Sequence, residues 1–398
     1  MKKRFLRDIA EIQTGPFGSQ LHKEDYVDVG TPIVTVEHLG CRVFSEQNLP
    51  MVSDTDKSRL SKYVLKKGDI VFSRVGSVDR CSFVDPKHDG WMFSGRCLRV
   101  RPSEEVDSLF LYYFFCLNTT KEFVRSIAVG ATMPSINTKL LGEVEVVCPE
   151  IEEQRKIADI LSKIDDKIEE NQKINENLNK QIESILLSMF SSAKTDCVRL
   201  GDYLYIKGRI GWKGLKKDEY LDQSKYRIIN GESLTKSGVD WLKAGYISKN
   251  RYIESPEIML KEGDILLSKD GTIGKIGYID SLETPATVAS GIFVIRNIKP
   301  EIISTTFIYY LLKSRLFKGF IAARTEGSVI PHLYQKDFMQ FEFPLPSSDE
   351  MKAFDAITKP MFSMIIGNLQ ENQKLSRLRD ELLPKLMSGE IDISITDL

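Results

Sequence analysis

The fold of this chain is decided by the stretch Leu65-Lys66-Lys67-Gly68-Asp69-Ile70-Val71-Phe72-Ser73-Arg74-Val75-Gly76-Ser77, which recurs as Leu260-Lys261-Glu262-Gly263-Asp264-Ile265-Leu266-Leu267-Ser268-Lys269-Asp270-Gly271-Thr272. The first glycines of the two stretches are 195 residues apart (263 − 68), and no gap interrupts the match. This distance is far longer than the roughly 20–50 residues of a solenoid repeat. We therefore predict two whole domains of one fold, and such a pseudo-two-fold molecule suits the symmetry of duplex DNA.

The composition describes a globular chain without the charge excess of many DNA-binding proteins. The 398 residues are 42% hydrophobic, enough for two ordinary cores, and the net charge is −1. A near-neutral balance is mild evidence against nucleic acid, although charges can be segregated onto one face. Six cysteines without a CxxC pair and four scattered histidines predict reduced thiols and no metal site. With no signal peptide and no run of 18 apolar residues, we expect a cytoplasmic protein without a membrane partner.

The same order of elements occurs in both halves. Residues 1–149 and 193–346 are strand-rich, and each contains one helical segment, near 108–125 and 305–323. Residues 150–192 and 347–398 are predicted to be mainly long helix, because their apolar residues follow a heptad pattern. Pro360 should kink the second helix or start a new one, and Pro384 and Gly389 should end it.

Two long helices with one apolar stripe each favour pairing as an antiparallel coiled coil, with asparagines in both seams setting the register. The sequence match aligns Asn171-Gln172-Lys173 with Asn372-Gln373-Lys374. The alternative is that each helix packs only on its own domain. The predicted seam consists of Ile157, Leu161, Ile164, Ile168, Asn171, Leu178, Ile182, Met361, Ile365, Asn372, Leu375 and Leu382.

Short polar loops beside apolar strands recur at matched places and are the candidate DNA-binding sites. Reading bases needs hydrogen-bonding side chains on a rigid frame, and glycine-rich turns let backbone N–H groups approach phosphates. Plain structural turns are the alternative for each loop. The candidates are Ser19, Gln20, Thr35, Glu37, His38, Arg74, Ser77, Arg80, Thr132, Ser135, Asn137, Lys139, Arg209, Lys213, Asn230, Glu232, Lys269, Thr272, Lys275, Ser328, His332, Tyr334 and Lys336.

Three stretches carry a resemblance to the specificity subunit of Type I restriction–modification systems. Residues 15–21 resemble the opening loop of a target recognition domain, residues 149–158 the start of the central spacer helix, and residues 382–391 the typical C-terminal end. The second half departs at residues 208–212 and 346–350, so the two domains should read different sequences.

The resemblance implies an α+β fold with two pseudo-symmetric, β-rich target recognition domains separated by long antiparallel coiled-coil spacer helices. It also implies a non-catalytic chain that reads a two-part DNA target, one half-site per domain, and docks two methyltransferase subunits. Restriction subunits are a further partner that the resemblance allows. S-adenosylmethionine would bind the methyltransferase subunits, and this chain would bind no cofactor.

No catalytic arrangement stands out in the sequence. Gly271-Thr272-Ile273-Gly274-Lys275 lacks the four-residue gap of a phosphate-binding P-loop, and hairpin glycines explain it. The second hypothesis is therefore another non-catalytic protein, a scaffold whose two β-rich domains bind proteins. A spacer helix of about 40 residues would be about 60 Å long. The hypothesis of a DNA-recognition subunit therefore predicts a target of two specific blocks with a gap of any sequence between them, and a longer helix should give a longer gap.

Overall fold

The computed structural model describes residues 2–16, 18, 20–192, 197–210, 215–235, 237–325 and 332–391. The chain forms two compact units. Unit 1 comprises Met1–Glu169 and Lys374–Leu398, and unit 2 comprises Glu170–Gln373. Both boundaries fall inside the two long helices, so each unit contains a part of each helix.

Unit 1 is built from two four-stranded sheets and a two-stranded pair. Its strands are β1 (Lys2–Phe5), β2 (Ala10–Thr14), β3 (Tyr26–Val27), β4 (Thr31–Val34), β5 (Met51–Val52), β6 (Ile70–Ser73), β7 (Cys81–Phe83), β8 (Met92–Phe93), β9 (Cys97–Pro102) and β10 (Glu145–Cys148). Its helices are α1 (Leu6–Ile9), α2 (Asp54–Arg59), α3 (Ser108–Cys116), α4 (Asn118–Ser126), α5 (Thr138–Gly142), the first part of α6 (Ile151–Ser192) and the last part of α11 (Ser348–Ser388).

The sheets of unit 1 have the orders β2-β9-β6-β7 and β3-β5-β4-β8, and β1 pairs with β10. The repeated stretch supplies β6, which is buried along its whole length between β7 and β9. The helix α3 packs its aromatic residues on this sheet, and Phe72 meets Phe115 edge to face. The strand in the repeated stretch is therefore central to the core of the domain.

Unit 2 repeats this plan. Its strands are β11 (Cys197–Arg199), β12 (Leu204–Gly208), β13 (Tyr226–Ile229), β14 (Leu234–Thr235), β15 (Gly238–Val239), β16 (Gly245–Ile247), β17 (Ile265–Ser268), β18 (Ile276–Tyr278), β19 (Ala286–Val288), β20 (Ile292–Asn297) and β21 (Glu342–Pro344). Its own helices are α7 (Lys249–Ile253), α8 (Thr305–Lys313), α9 (Arg315–Thr325) and α10 (Gln335–Phe338).

The sheet β12-β20-β17-β18 matches the order of β2-β9-β6-β7 strand for strand. The parallel pair β13 and β19 likewise matches β4 and β8. The prediction of two domains with one fold is confirmed.

The Gly-Asp pair of the repeated stretch has a structural role in both units. Gly68 and Gly263 have φ of 90° and 86°, a left-handed conformation that favours glycine. The following residues, Asp69 and Asp264, are each 1% exposed. Each carboxylate accepts a hydrogen bond from the backbone N–H three residues earlier, at 2.8 and 2.7 Å.

Each of these buried carboxylates also pairs with an arginine, and the two arginines occupy matched positions of the repeat. Arg101 Nε lies 2.7 Å from Asp69 Oδ1, and Arg296 Nε lies 2.6 Å from Asp264 Oδ1. Since the arginines stand on β9 and β20, the pair fixes the turn before the central strand to its neighbour. The repeated stretch thus contains the aspartate of the ion pair that holds the central strand, β6 or β17, to its neighbour.

Three helix predictions need correction. The helical segments near 108–125 and 305–323 are each two helices, broken at Leu117 and Ser314. The helix α11 continues through Pro360 and Pro384 and ends at Ser388, followed by Gly389 in the left-handed region. Both prolines lie on the exposed side of the helix. Water can there take up the carbonyl groups that proline leaves without an N–H partner, so the helix persists.

Candidate nucleic-acid interface

Loops that are distant in sequence come together in unit 1 where β6 ends and β9 begins, at one end of the strands of the sheet β2-β9-β6-β7. We call this surface the loop edge of unit 1, and it consists of residues 74–80, 94–96 and 129–139. The backbone N–H of Arg74 donates to the carbonyl of Arg96 at 2.8 Å, and the N–H of Gly76 donates to the carbonyl of Pro134 at 2.8 Å. Val75 and Ser135 form an isolated β-bridge. The structure therefore unites the turn after β6 with the loop before α5, which were separate candidates.

The corresponding loop edge of unit 2 consists of residues 269–275, 291 and 332–336. The N–H of Lys269 donates to the carbonyl of Gly291 at 2.8 Å, and the N–H of Leu333 donates to the carbonyl of Lys269 at 2.9 Å. His332 Nδ1 is hydrogen-bonded to Asp270 Oδ1, and its ring meets Tyr334 at 4.5 Å between centroids. The same loop edge is thus built in both units, with different side chains at its backbone contacts.

One further loop is held against each edge by a cation at a matched position. Arg80 donates to the carbonyl of Leu39, which follows the loop 35–38. Lys275, its counterpart in the repeat, donates to the carbonyl of Gly231 at 2.7 Å in the loop 230–233. Both cations therefore hold a neighbouring loop at the edge.

The described candidates differ in how far they reach solvent. The exposed ones are Glu37, Ser77, Arg80, Thr132, Asn137, Lys139, Glu232, Thr272, Tyr334 and Lys336. The half-buried ones are Gln20, Thr35, Arg74, Ser135, Asn230, Lys269, Lys275 and His332. The candidates Ser19, Lys213 and Ser328 lie outside the described residues.

Several of these side chains also have local structural partners. The Asn137 side chain accepts from the N–H of Leu140 at 2.9 Å and caps α5. The Asn230 side chain accepts from the N–H groups of Glu232 and Ser233 at 2.9 and 3.0 Å. The alternative of structural turns thus holds for part of each loop, alongside the exposed side chains.

Two candidates are corrected because they are buried. His38 is 4% exposed, and its two ring nitrogens lie 3.0 Å from the Thr35 hydroxyl and 3.1 Å from the Gln47 carbonyl. Arg209 is 2% exposed and donates from Nε to the carbonyl of Val288 at 3.1 Å. Burial lowers the pKa of Arg209 from its ordinary value. Neither side chain is presented to a ligand; both hold loops in place.

One exposed cation of the unit 1 edge escaped the sequence reasoning. Arg96 precedes β9 and lies beside Arg74 through the backbone hydrogen bond between them. Its counterpart at the matched position of unit 2 is Gly291. The sequence signal for Arg96 is a cation directly before a buried strand. This signal is weak, because the matched position in the second half is a glycine and not a cation.

In unit 1, the spacer helices pack together and on the domain. Ile157 and Leu161 of α6 share one apolar core with Leu383, Leu386 and Met387 of α11. Buried polar contacts fix the same region. Asp165 accepts from Tyr113 Oη at 2.8 Å and from Arg379 Nη1 at 2.8 Å.

In unit 2, the other halves of the two helices pair through asparagines. Asn171 Nδ2 donates to Asn372 Oδ1 at 2.9 Å, and Asn368 Nδ2 donates to Asn175 Oδ1 at 2.8 Å. The α6 residue number rises while that of its α11 partner falls, so the pairing is antiparallel, as predicted. The alternative, packing on the domain alone, is incomplete, since the helices pair with each other and pack on their domains.

The spacer residues of the predicted seam line these contacts to different degrees. The buried ones are Ile157, Leu161, Ile164, Ile168, Asn171, Ile182, Ile365 and Asn372, and the half-buried ones are Leu178, Met361, Leu375 and Leu382.

The helix alignment from the sequence is corrected by one turn. The helices start at Ile151 and Ser348, which gives an offset of 348 − 151 = 197 between them. This offset aligns Asn171 with Asn368 and Asn175 with Asn372, and it also aligns buried Ile157 with buried Phe354. The identical Asn-Gln-Lys triplets that begin at Asn171 and Asn372 are therefore not structural counterparts.

Lys313 makes a pH dependence of unit 2 predictable. It donates to Asn179 Oδ1 at 3.0 Å above the rings of Tyr309 and Tyr310, and burial lowers the pKa of this lysine to about 8. Folding then releases a proton that the unfolded chain keeps up to about pH 10.4. Stability should therefore rise by about 1 kcal/mol from pH 7 to 9. Urea titrations should show this gain in the wild type and lack it in Lys313→Met, which should be more stable at pH 7.

Other kinds of site find no support in the residues that the structure describes. Among them, no three His, Cys, Asp or Glu side chains are grouped so that they could hold a metal ion. Within the same ranges, no helix is both long enough and apolar enough to cross a membrane. The six cysteines are free thiols, of which Cys41 and Cys197 are exposed.

Comparison with known proteins gives one consistent result. A family model described as a type I restriction modification DNA specificity domain matches residues 1–180 and 195–375. The chain is 28% identical over 320 residues to the specificity subunit of the type I restriction enzyme MjaIX of Methanocaldococcus jannaschii, covering 74% of this chain and 71% of the relative. It is 22% identical over 438 residues to the HindI specificity subunit of Haemophilus influenzae, covering 90% and 92%.

A solved structure shares the fold. The S subunit of a type I restriction–modification system from M. genitalium superposes with a TM-score of 0.59 at 20% sequence identity. The superposition covers 97% of this chain and 95% of the other.

Proposed function

Because this chain belongs to the family of type I restriction modification DNA specificity domains, we propose that its two loop edges each read one half of a two-part DNA target. The single observation that carries this proposal is the edge itself, built from the same three loops in units 1 and 2. The frame agrees between the units, whereas some of the side chains differ, as at Arg96 and Gly291 or at Asn137 and Tyr334. A reader of an asymmetric DNA sequence requires this combination, because base edges are distinguished by side-chain donors and acceptors.

The exposed side chains of the edges suit this task. Ser77 and Thr272 occupy matched positions of the repeat and can donate to or accept from base edges. Lys139 and Lys336 are the second residues of the short helices α5 and α10, and they are exposed cations suited to phosphate contacts. Glu37 and Glu232 can accept from the amino group of cytosine, although both also belong to tight turns.

The chain supplies recognition, and its partners are proposed to supply chemistry. The paired helices α6 and α11 act as a spacer and dock two methyltransferase subunits, which bind S-adenosylmethionine. Restriction subunits join the assembly where the system cleaves DNA. We propose a cytoplasmic location for the complex, where it would meet its DNA target. Its affinity depends on these partners, because a chain with a net charge of −1 has little electrostatic attraction for DNA of its own.

If each loop edge recognises its own half-site, a change in one loop edge should alter one half-site. In Thr272→Leu, the loss of the hydroxyl should relax or change the sequence of one half-site, at about 1–3 kcal/mol per affected base pair. The other half-site and the gap should stay as they are. Mapping of methylated bases across a genome that expresses the variant with its methyltransferase subunits returns both half-sites and the gap together.

The matched variant is Ser77→Leu, which should alter the other half-site alone. If either variant changed both half-sites, the two units would not read DNA independently. A protein-binding scaffold is the competing function, and it predicts no sequence preference in the purified complex and no steep loss of DNA binding with salt.

A further inference from the structure

The asparagine pairs in unit 2 cannot choose between helices. At the helix offset of 197, Asn171 corresponds to Asn368 and Asn175 to Asn372. Both helices therefore carry the same two buried asparagines. If two copies of α6 paired in this register, Asn171 of one copy would face Asn175 of the other, and the observed amide contacts could form again. The pairs between asparagines fix how far one helix slides along the other without distinguishing α6 from α11. Asn171 Nδ2 also donates to the exposed Glu371 at 2.7 Å, and this contact alone would be missing between two α6 helices, where the counterpart of Glu371 is Ile174.

The polar contact in unit 1 does distinguish them. Asp165 of α6 is 5% exposed, and its two carboxylate oxygens accept from Tyr113 and Arg379. Burial tends to lower the pKa of Arg379, but the charge of Asp165 raises it above its ordinary value. This ion pair joins the buried carboxylate of α6 to a half-buried guanidinium of α11, which also contacts the neighbouring Asp380.

The counterparts of this pair are apolar. The residue of α11 that corresponds to Asp165 is Phe362 (165 + 197), and the residue of α6 that corresponds to Arg379 is Ile182 (379 − 197). Phe362 and Ile182 are 6% and 0% exposed and lie in the apolar core of unit 2. Tyr310, the counterpart of Tyr113, meets the ring of Phe362 at 5.9 Å instead of donating to a carboxylate there.

Pairing of like helices would separate these complementary groups. In a pair of two α6 helices, each Asp165 would face an Ile182, and in a pair of two α11 helices, each Arg379 would face a Phe362. A buried charge that loses its partner is strongly destabilising, far more than an exposed pair is stabilising. The penalty is largest for two α6 helices, because Asp165 is buried, and it is smaller for two α11 helices, because Arg379 is half-buried and keeps its contact with Asp380.

We propose that the Asp165–Arg379 pair selects the partner of each spacer helix, so that the half of the chain with α6 accepts the half with α11 and rejects a second copy of itself. The asparagines set the register of the two helices, and the ion pair determines which helix is the partner. This inference does not rest on the proposed DNA-reading function. If that function holds as well, the ion pair excludes an assembly of two α6 halves, which would read a palindrome.

The test begins with the full chain carrying a protease site in the connection between Ser192 and Cys197. After folding, cleavage gives a nicked protein of two halves, which is dissociated in urea and reassociated by dilution. Native mass spectrometry then counts mixed and like pairs. We expect mixed pairs to exceed like pairs by more than about 100-fold in the wild type, from the cost of an unpaired buried charge.

The informative variant is Asp165→Phe/Arg379→Ile, which gives unit 1 the residues found at the counterpart positions of unit 2. Mixed and like pairs should then approach the statistical 2:1:1 distribution. The charge-exchanged variant Asp165→Arg/Arg379→Asp should form mixed pairs alone, but its α6 half should not pair with a wild-type α11 half, where two arginines would meet. This second result keeps the test decisive if the apolar variant folds poorly. A control, Asp159→Asn/Lys163→Gln, removes an exposed pair within α6 and should change nothing.

Two results would overturn the proposal. One is a statistical mixture from the wild-type halves, which would mean that no partner choice exists. The other is exclusive mixed pairing in the Asp165→Phe/Arg379→Ile variant, which would place the choice elsewhere in the chain. Neither result bears on the methylation maps that test DNA reading, so the two failures are distinguishable.

Discussion

Replacing Asp264 with alanine is expected to lower the free energy of unfolding of unit 2 by about 3–5 kcal/mol, the cost of leaving a buried charge without its partner. Asp264 is 1% exposed, and it accepts hydrogen bonds from Arg296 and from the backbone of Lys261. The substitution leaves the N–H of Lys261 without its acceptor and leaves Arg296 with the carbonyl of Met259 but no carboxylate, directly before β17, an inner strand of the sheet. Urea unfolding followed by circular dichroism should show a separate transition at lower urea concentration.

The repeat in the chain supplies the matched experiment. Asp69→Ala removes the equivalent carboxylate in unit 1 and should destabilise that unit by a similar amount. Asp349→Ala is the control, since its carboxylate is 97% exposed, and a change within about 0.5 kcal/mol is expected. A loss below about 1 kcal/mol for both buried sites would contradict the structural role given to the Gly-Asp pair.

The double variant Lys139→Glu/Lys336→Glu is expected to weaken DNA binding by the assembled complex roughly 100-fold or more at low salt. Each substitution replaces a proposed phosphate contact by repulsion. The slope of log affinity against log salt should become shallower by about 2, near 0.9 for each lost contact. Fluorescence anisotropy with a labelled duplex at several salt concentrations measures both quantities.

The control for this variant is Lys3→Glu/Lys352→Glu, which reverses two lysines that are 72% and 76% exposed outside the loop edges. The net charge of the two double variants is the same. Equal losses of affinity in both would show that overall charge, and not the loop edges, determines binding. Unfolding transitions of the free chains should coincide, because all four lysines are exposed.

The parts of the fold that could be predicted from sequence were those with a local pattern. The repeated stretch predicted two like domains, and the heptad spacing predicted two long helices, because side-chain period reports directly on which face is buried. The pairing of these helices followed from their apolar stripes alone. The breaks at Leu117 and Ser314 were missed, since no glycine or proline stands at either position to mark the end of a helix.

The loop edges could be predicted only in part, because exposure depends on contacts between distant residues. The turn at Arg74 and the loop at Ser135 were both candidates, but their bridge is visible only in the structure. His38 and Arg209 look like surface groups in sequence, and each is buried by hydrogen-bond partners that no local pattern reveals. The role of Asp165 was missed for the same reason, since its partner Arg379 is 214 residues away.

The helices α6 and α11 carry asparagines at the same two positions, and this has a consequence for how such chains can evolve. A gene segment that encodes one strand-rich domain can be exchanged for another without disturbing the alignment of the helices, because the four amides lie outside residues 1–149 and 197–346. Recombination can therefore vary the loops while the helix register is inherited intact. Asn171, Asn175, Asn368 and Asn372 thus keep the helix register independent of the sequence of either strand-rich domain.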